Sequence, residues 1–296
     1  MTRDGQPLSY NRAPANDLSP WIARVYVTIV EMPADYTLRC GLFNDTACLR
    51  VQLRGHWTAD TAEGRFELDR SALFFGPQTR RMPIGVTGSF TSVGFVLRPG
   101  ACHPLKGPKA PDHLDCIRPL DVLGVPGERW LNLFAPDGTP EEWCQAMEHA
   151  MRARIADLNA AEPDPATVRF EAAAFTDPTV SVKQFAAGAG IEQRRLERIV
   201  RRDFGLPPKQ VLRRARALDM ASHLRGVADK DEAEALALRY YDQSHLIREF
   251  TELFGMGPRQ FVETPQPLMT LALETRQARR LEMIARIAPG EIRPWQ

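Results

Sequence analysis

Gln193-Arg194-Arg195-Leu196-Glu197-Arg198 and, fifty residues on, Gln243-Ser244-His245-Leu246-Ile247-Arg248 are two copies of one pattern. Leu196 aligns with Leu246, Arg198 with Arg248, Val200 with Phe250, and Phe204-Gly205 with Phe254-Gly255. Three residues beyond each glycine stands a proline, Pro208 and Pro258. The spacing predicts a duplicated helical unit with an apolar inner face and an arginine on its outer face. Such a pair suits two neighbouring stretches of DNA groove, which makes the chain a candidate transcription regulator.

Each unit can be built outward from its repeat. In the first, Ser181 can cap a short helix whose inner face is Val182, Phe185 and Ala186. Gly190 suits the positive φ of a tight turn. The next helix starts near Glu192 and buries Leu196, Ile199 and Val200, which leaves Gln193, Arg194, Glu197, Arg198 and Arg201 outward. Arginine pairs two donors with guanine and glutamine does the same with adenine, so this face matches base edges chemically. In the second unit, a helix over 232–238, a turn at Arg239-Tyr240-Tyr241 and an N-cap at Asp242 precede the repeat. Leu246 and Phe250 face inward; Gln243, Ser244, His245, Ile247 and Arg248 face outward. Pro208 to Arg225 reads as a long joining helix, with Val211, Leu212, Ala215, Leu218 and Leu224 for the core.

Charge is distributed unevenly. The 296 residues carry a net charge of only +1, so a nucleic-acid footprint must be local. Residues 181–216 hold ten Lys/Arg against three Asp/Glu, whereas 217–262 hold five against eight. The first unit is expected to grip phosphate, with Arg201 and Arg202 as clamps, and the second to read bases.

The N-terminal half has a different texture. Residues 1–19 read as a flexible polar arm. Short β-type runs follow over 20–135: Ala23 to Val30, Cys48 to Arg54, Phe66 to Leu68, Ala72 to Phe75 and Ser92 to Leu97. A sandwich or small barrel is expected. The aromatics Trp57, Phe66, Phe74, Phe75, Phe90 and Phe95 read as core, with some available to line a pocket for a small effector. Thr139-Pro140-Glu141-Glu142 opens a helix whose stripe Trp143, Met147, Ala150, Met151 and Ile155 packs on its own domain or pairs with a second copy. This connecting helix and a linker at Ala161 to Pro165 fill 139–162; the helical domain spans 164–264 and a tail helix, Leu268 to about Ile287, lies in 265–296. The fold class is α+β.

Other chemistries find little support. No run is long and apolar enough for a membrane span, no signal-peptide core is present, and five cysteines without paired spacing suit reduced thiols, so a cytoplasmic protein is expected. Phosphate-loop, dinucleotide and nucleophile-elbow motifs are absent. Cys102-His103 with His113 and Cys116 makes poor zinc geometry and reads as loop side chains. No metal, cofactor or catalytic role is expected. The alternative is a β-barrel enzyme or small-molecule binder whose helical half only contacts other proteins.

At Ser181-Val182, Phe185-Ala186, Gly190, Leu196-Glu197-Arg198, Gly205, Pro208 and Arg213 to Arg216, then Tyr241 to Leu246, Arg248, Phe250, Phe254-Gly255 and Pro258, the chain resembles the AraC/XylS family of bacterial regulators. The resemblance implies seven helices in two helix-turn-helix subdomains joined by a long helix, with the second helix of each unit in consecutive major-groove segments. It implies base contacts from Arg194, Glu197 and Arg198, then Gln243, Ser244, His245, Ile247 and Arg248. Glu192 departs from the family's capping Ser, and Arg239 from its turn Gly. Phe75 to Thr79 and Arg98-Pro99-Gly100 carry fainter echoes of sensor-like domains. Double-stranded DNA is the implied partner, with a small-molecule effector, RNA polymerase and a second copy as further candidates.

Overall fold

The computed structural model describes residues 8–228 and 243–287. Its first half is built around two long strands, β4 (Cys48–Thr61) and β7 (Met82–Leu97), paired antiparallel over most of their length. Between Gln52 and His56 the register shifts, beside Gly55 at φ 105. Such bulges bend a strand pair, so each end of the pair collects its own neighbours. Beyond the bulge, β3 (Thr37–Leu42) joins β7 and β5 (Gly64–Leu68) joins β4. On the other side, β2 (Ile22–Val30) joins β7 and β6 (Ser71–Phe75) joins β4. β1 (Leu8–Arg12) and β8 (Ile117–Pro119) form the edges.

β1 departs from the expected flexible arm at Leu8 to Arg12 of residues 1–19. Leu8 to Arg12 pair with Val25 to Ile29, and Arg12 is held by Glu141 and Glu148 on the helix α2 (Pro140–Leu158). Polar composition suggested an arm because the partners of these side chains lie 129 and 136 residues away.

Alternation gives the sheet two faces. Val25, Val27, Leu49, Val51, Val93 and Phe95 lie in one core with Trp143, Met147 and Met151 of α2. A full capping box at Thr139 and Glu142 starts that helix, as its sequence predicts. Its central apolar stripe is therefore buried on its own sheet. The opposite face, with Cys48, Leu73, Phe75 and Phe90, forms a second core that takes in Leu268 from the tail helix. A five-residue helix, α1 (Gly127–Leu131), covers β6.

The second half begins with α3 (Pro165–Thr176), whose first residue is the last of the expected linker Ala161 to Pro165. Asp164 accepts from the Ala166 amide and Pro165 occupies the first turn, so the Asp-Pro pair is a helix start. Then follow α4 (Val182–Gly188), α5 (Gln193–Phe204), α6 (Pro208–Leu224), α7 (Gln243–Phe254), α8 (Pro258–Glu263) and α9 (Pro267–Ile287). The expected helix at 232–238, the turn at Arg239 and the cap at Asp242 lie outside the described residues. Among the described residues no helix is long and apolar enough to cross a membrane.

Buried charges join the halves. Arg279 of α9 donates to Asp45 at 2.7 Å and to Glu171 of α3 at 2.8 Å. Arg276 pairs with Asp219 of α6 and lies 3.5 Å from Asp45. Arg214 of α6 donates to the carbonyls of Gln78 and Asp45 at 2.7 and 2.6 Å. Burial alone would raise the Asp45 carboxyl, but Arg279, Arg276 and Arg214 override it and hold the group at about 2. Burial likewise pushes Arg214 down to about 10 against the pull of Asp45.

Without Asp45, Arg279 keeps Glu171 and Arg276 keeps Asp219, but both lose a charged acceptor, at a cost of about 1–3 kcal/mol. Asp45→Asn should show a loss of that size in equilibrium denaturation at pH 7. A depressed carboxyl stabilises the fold above its unfolded value, near 4. The gap between parent and variant should therefore close as pH falls from there toward 2. An undiminished gap at low pH would remove Asp45 from this role.

Candidate nucleic-acid interface

The first repeat sits on a small aromatic core. Ser181 caps α4 by accepting from the Gln184 amide at 3.1 Å. Gly190 makes the turn at φ 64. From α5, Leu196, Ile199, Val200 and Phe204 are buried, and the ring of Phe170 meets Phe185 at 5.1 Å and Phe204 at 5.6 Å. Gln193, Arg194, Arg195, Glu197, Arg198, Arg201 and Arg202 are left exposed. Glu192 forms the N-cap without a side-chain bond, so nothing there replaces a capping serine.

Gly205 ends α5 under two constraints. Its φ is 78, and an added Cβ would lie 2.7 Å from Leu114 and 3.1 Å from the Ala110 carbonyl. The C-terminus of α5 is thus seated on the loop that precedes β8.

The second repeat is built the same way. Leu246, Phe250, Leu253 and Phe254 are buried. Phe250 and Phe254 stack at 4.2 Å, and Phe261 of α8 meets both edge-on at 5.4 and 5.1 Å. Ser244, His245, Ile247 and Arg248 are exposed, Ile247 to 45%. Arg248 donates to the Ser244 carbonyl at 3.2 Å, and His245 lies 3.8 Å from Glu249. The side chain of Gln243 lies outside the described residues.

Three arginines counted in the basic segment turn out to be structural. Arg216 pairs with buried Glu249 of α7 at 3.0 Å and donates to the Pro178 carbonyl at 3.1 Å. Arg213 reaches Glu249 and Glu252, and Arg214 faces the β-half. Arg202 is intermediate: exposed, yet held by buried Asp203, which Thr167 of α3 also meets. The surface cations of this segment are Lys183, Arg194, Arg195, Arg198, Arg201, Arg202 and Lys209. Arg195, three residues before Arg198, was not singled out in the sequence; its exposure beside Arg194 could have marked it.

Among the described residues no cluster of three or more His, Cys, Asp or Glu side chains is arranged to hold a metal ion. The histidines and cysteines around 102–116 belong to loops and to the core: Cys116 is buried, and burial pushes the Cys102 thiol up to about 12.

Residues 185–264 match the helix-turn-helix domain family. No curated protein matches the chain in sequence. Among solved structures, ToxT from Vibrio cholerae is 9% identical, with a TM-score of 0.45 over 87% of this chain and 97% of its own. The AraC-like transcriptional activator CuxR is 13% identical, with a TM-score of 0.26 over 71% and 86%. A cupin superfamily protein from Desulfitobacterium hafniense is 13% identical, with a TM-score of 0.25 over 33% and 82%.

Glu249 is the joint between α6 and α7. Glu249→Gln should cost about 1–3 kcal/mol, because Arg216 and Arg213 lose a charged acceptor. Hydrogen exchange should show the loss as reduced protection in α7. Unchanged protection would mean that the aromatic stack alone fixes the helix.

Proposed function

We propose that this chain is an AraC-type DNA-binding transcription regulator in which α5 and α7, both within the residues 185–264 that match the helix-turn-helix domain family, each enter the major groove of one operator. The observation that carries this reading is the matched pair. Two helices of equal length bury their aliphatic and aromatic sides and leave Arg198 and Arg248 exposed at equivalent positions. Gln193, Arg194, Glu197 and Arg198 from α5, and Gln243, Ser244, His245, Ile247 and Arg248 from α7, are the proposed base-facing residues. Arg201 is a phosphate clamp. Arg202 does less of this, because its guanidinium is already occupied by Asp203.

The β-half is proposed as the sensing part. Its sheet borders two cavities. One, about 350 Å³, lies between the sheet and α2 with Phe74, Phe95, Leu105, Trp130 and Met151 on its walls. The other, about 70 Å³, lies between the sheet and α9. Contacts with RNA polymerase or with a second copy would use surfaces other than the Trp143, Met147 and Met151 stripe, which is buried within the chain.

The test is duplex affinity on a site enriched from random sequence and on a scrambled duplex, at several salt concentrations. Arg198→Ala and Arg248→Ala should each cost about 1–3 kcal/mol on the enriched site and relax preference at one base position. Arg201→Gln should weaken both duplexes alike and lower the salt slope by about one, whereas Arg202→Gln should lower it less. If Arg248→Ala weakens both duplexes equally, α7 does not read bases.

A further inference from the structure

Two loops of the β-half reach the helical half, and each ends on one of the repeats. The loop over 76–81, between β6 and β7, bonds to α6 and α7. The Gln78 carbonyl accepts from Arg214 at 2.7 Å, and the Arg81 amide donates to the Leu253 carbonyl at 2.8 Å. Leu253 lies in the last turn of α7, where helix carbonyls have no partner within the helix. The loop over 98–116, between β7 and β8, meets the C-terminus of α5. Ala110 and Leu114 press on Gly205 there, and a Cβ added at Gly100 would lie 3.1 Å from Asp203 Oδ2. The C-terminal ends of both repeat helices are thus seated on the β-half.

Asp115 ties these two loops to each other. Its carboxylate accepts from the Thr79 amide at 2.8 Å and from the Thr79 hydroxyl. Its own amide donates to the Pro77 carbonyl at 3.1 Å, and its carbonyl accepts from the Ala62 amide at 3.0 Å. Next to it, the Gly76 amide donates to the Cys116 carbonyl at 3.0 Å, across an approach so close that a Cβ on Gly76 would fall 1.6 Å from the His113 carbonyl. Asp115 makes its bonds at φ 56, a left-handed backbone that Asp tolerates better than most residues. The helices themselves lack a common core. Leu196, Val200 and Phe204 of α5 pack with Phe170 and Val211, whereas Phe250 and Phe254 of α7 pack with Leu218 and Phe261. α6 passes through both cores, and a single helix can curve. A second link is what fixes how far apart α5 and α7 lie.

We propose that Asp115, through Thr79, is a positioning residue for DNA recognition: it sets the separation of α5 and α7, and with it the spacing of the two groove segments that an operator must present. This role rests on the reading of α5 and α7 as helices that enter the groove. One extra base pair moves the second segment by about 3.4 Å along the axis and about a tenth of a turn around it. Helices tied to one frame cannot follow that displacement, whereas helices joined by α6 alone can bend toward it. The bonds of Asp115 lie within the β-half, so its loss leaves the base-facing side chains of each unit in place.

Full-length parent and variants are measured on the enriched duplex and on the same duplex with one base pair inserted or removed at its centre. The parent should lose about tenfold or more on either altered duplex, as one helix gives up base contacts. Asp115→Gly keeps the left-handed backbone accessible and removes both acceptors. It should narrow that penalty to about threefold or less. Thr79→Val should narrow it as well, and Thr79→Ser, which keeps the hydroxyl, should behave as the parent. A merely structural Asp115 would weaken all three duplexes by one factor, and that result would overturn the role. Spin labels carried by unnatural residues at exposed Gln184 of α4 and Gln260 of α8 test the tie without DNA. The parent should give one narrow distance distribution and Asp115→Gly a broader one. Distributions as narrow as the parent's in both Asp115→Gly and Thr79→Val would overturn the tie. Broadening with an unchanged spacing penalty removes the positioning role and keeps the groove-entering reading. Broadening in a protein whose parent binds enriched and scrambled duplex alike keeps the tie and removes that reading.

Discussion

A partly buried carboxylate set among buried arginines decides how the two halves of this protein meet. Asp45 lies in the loop between β3 and β4, and Arg276 and Arg279 of α9 converge on its side chain. Arg214 of α6 adds a hydrogen bond to its backbone carbonyl. Arg279 continues to Glu171 of α3, which also meets Arg98 at the end of β7. Hydrophobic contact tolerates sliding, whereas a buried ion pair loses most of its value when its geometry shifts. Phe43 and Leu268 already interleave the two cores. The charges then fix one orientation among those that apolar packing would permit, so the helix-turn-helix domain is held in a set pose on the sheet.

The parts that could be read from the sequence are those encoded by neighbours in the chain. The inward sides of α5 and α7 follow from 3.6-residue spacing, and Leu196, Val200, Leu246 and Phe250 are buried as that spacing requires. The caps at Ser181 and Thr139 form as written, because cap and amide lie three residues apart. Strands β2, β4 and β6 appear where alternation put them. Interactions between distant residues were not readable. β1 looks like an arm until Glu141 and Glu148 are placed beside Arg12. Arg276 and Arg279 look like the solvated face of a tail helix, yet both are almost fully buried. Asp164-Pro165 is a local helix start that sits inside a proline-rich stretch and so reads as linker.

The same distinction separates charge in sequence from charge at a surface. The basic segment of the first unit reads as one field, but the fold divides it. Arg213 and Arg216 fasten α6 to α7 through Glu249, and Arg214 fastens α6 to the β-half. The field offered to an anion comes from the α5 face with Lys183 and Lys209. Counterion release depends on cations that can reach phosphate, so the footprint is narrower than the composition of the segment suggests.

The tail helix ties these strands together. It lies beyond the residues that match the helix-turn-helix family and yet touches β3, β2, α3 and α6. Its N-terminal turns cover the inner face of the sheet with Leu268 and Leu271, and its middle carries the arginines that Asp45 and Asp219 hold. Any change that opens the sheet toward α9 must therefore move Arg276, and with it the Asp219 contact on α6, the helix between the two repeats. The described contacts supply a continuous mechanical route from the sheet to α6. Coupling along it requires two arrangements of α9 that differ in energy by an amount a ligand can supply. A strap held by paired charges suits that role, because its alternative state exposes those charges to water, where they are solvated, and so carries a bounded cost.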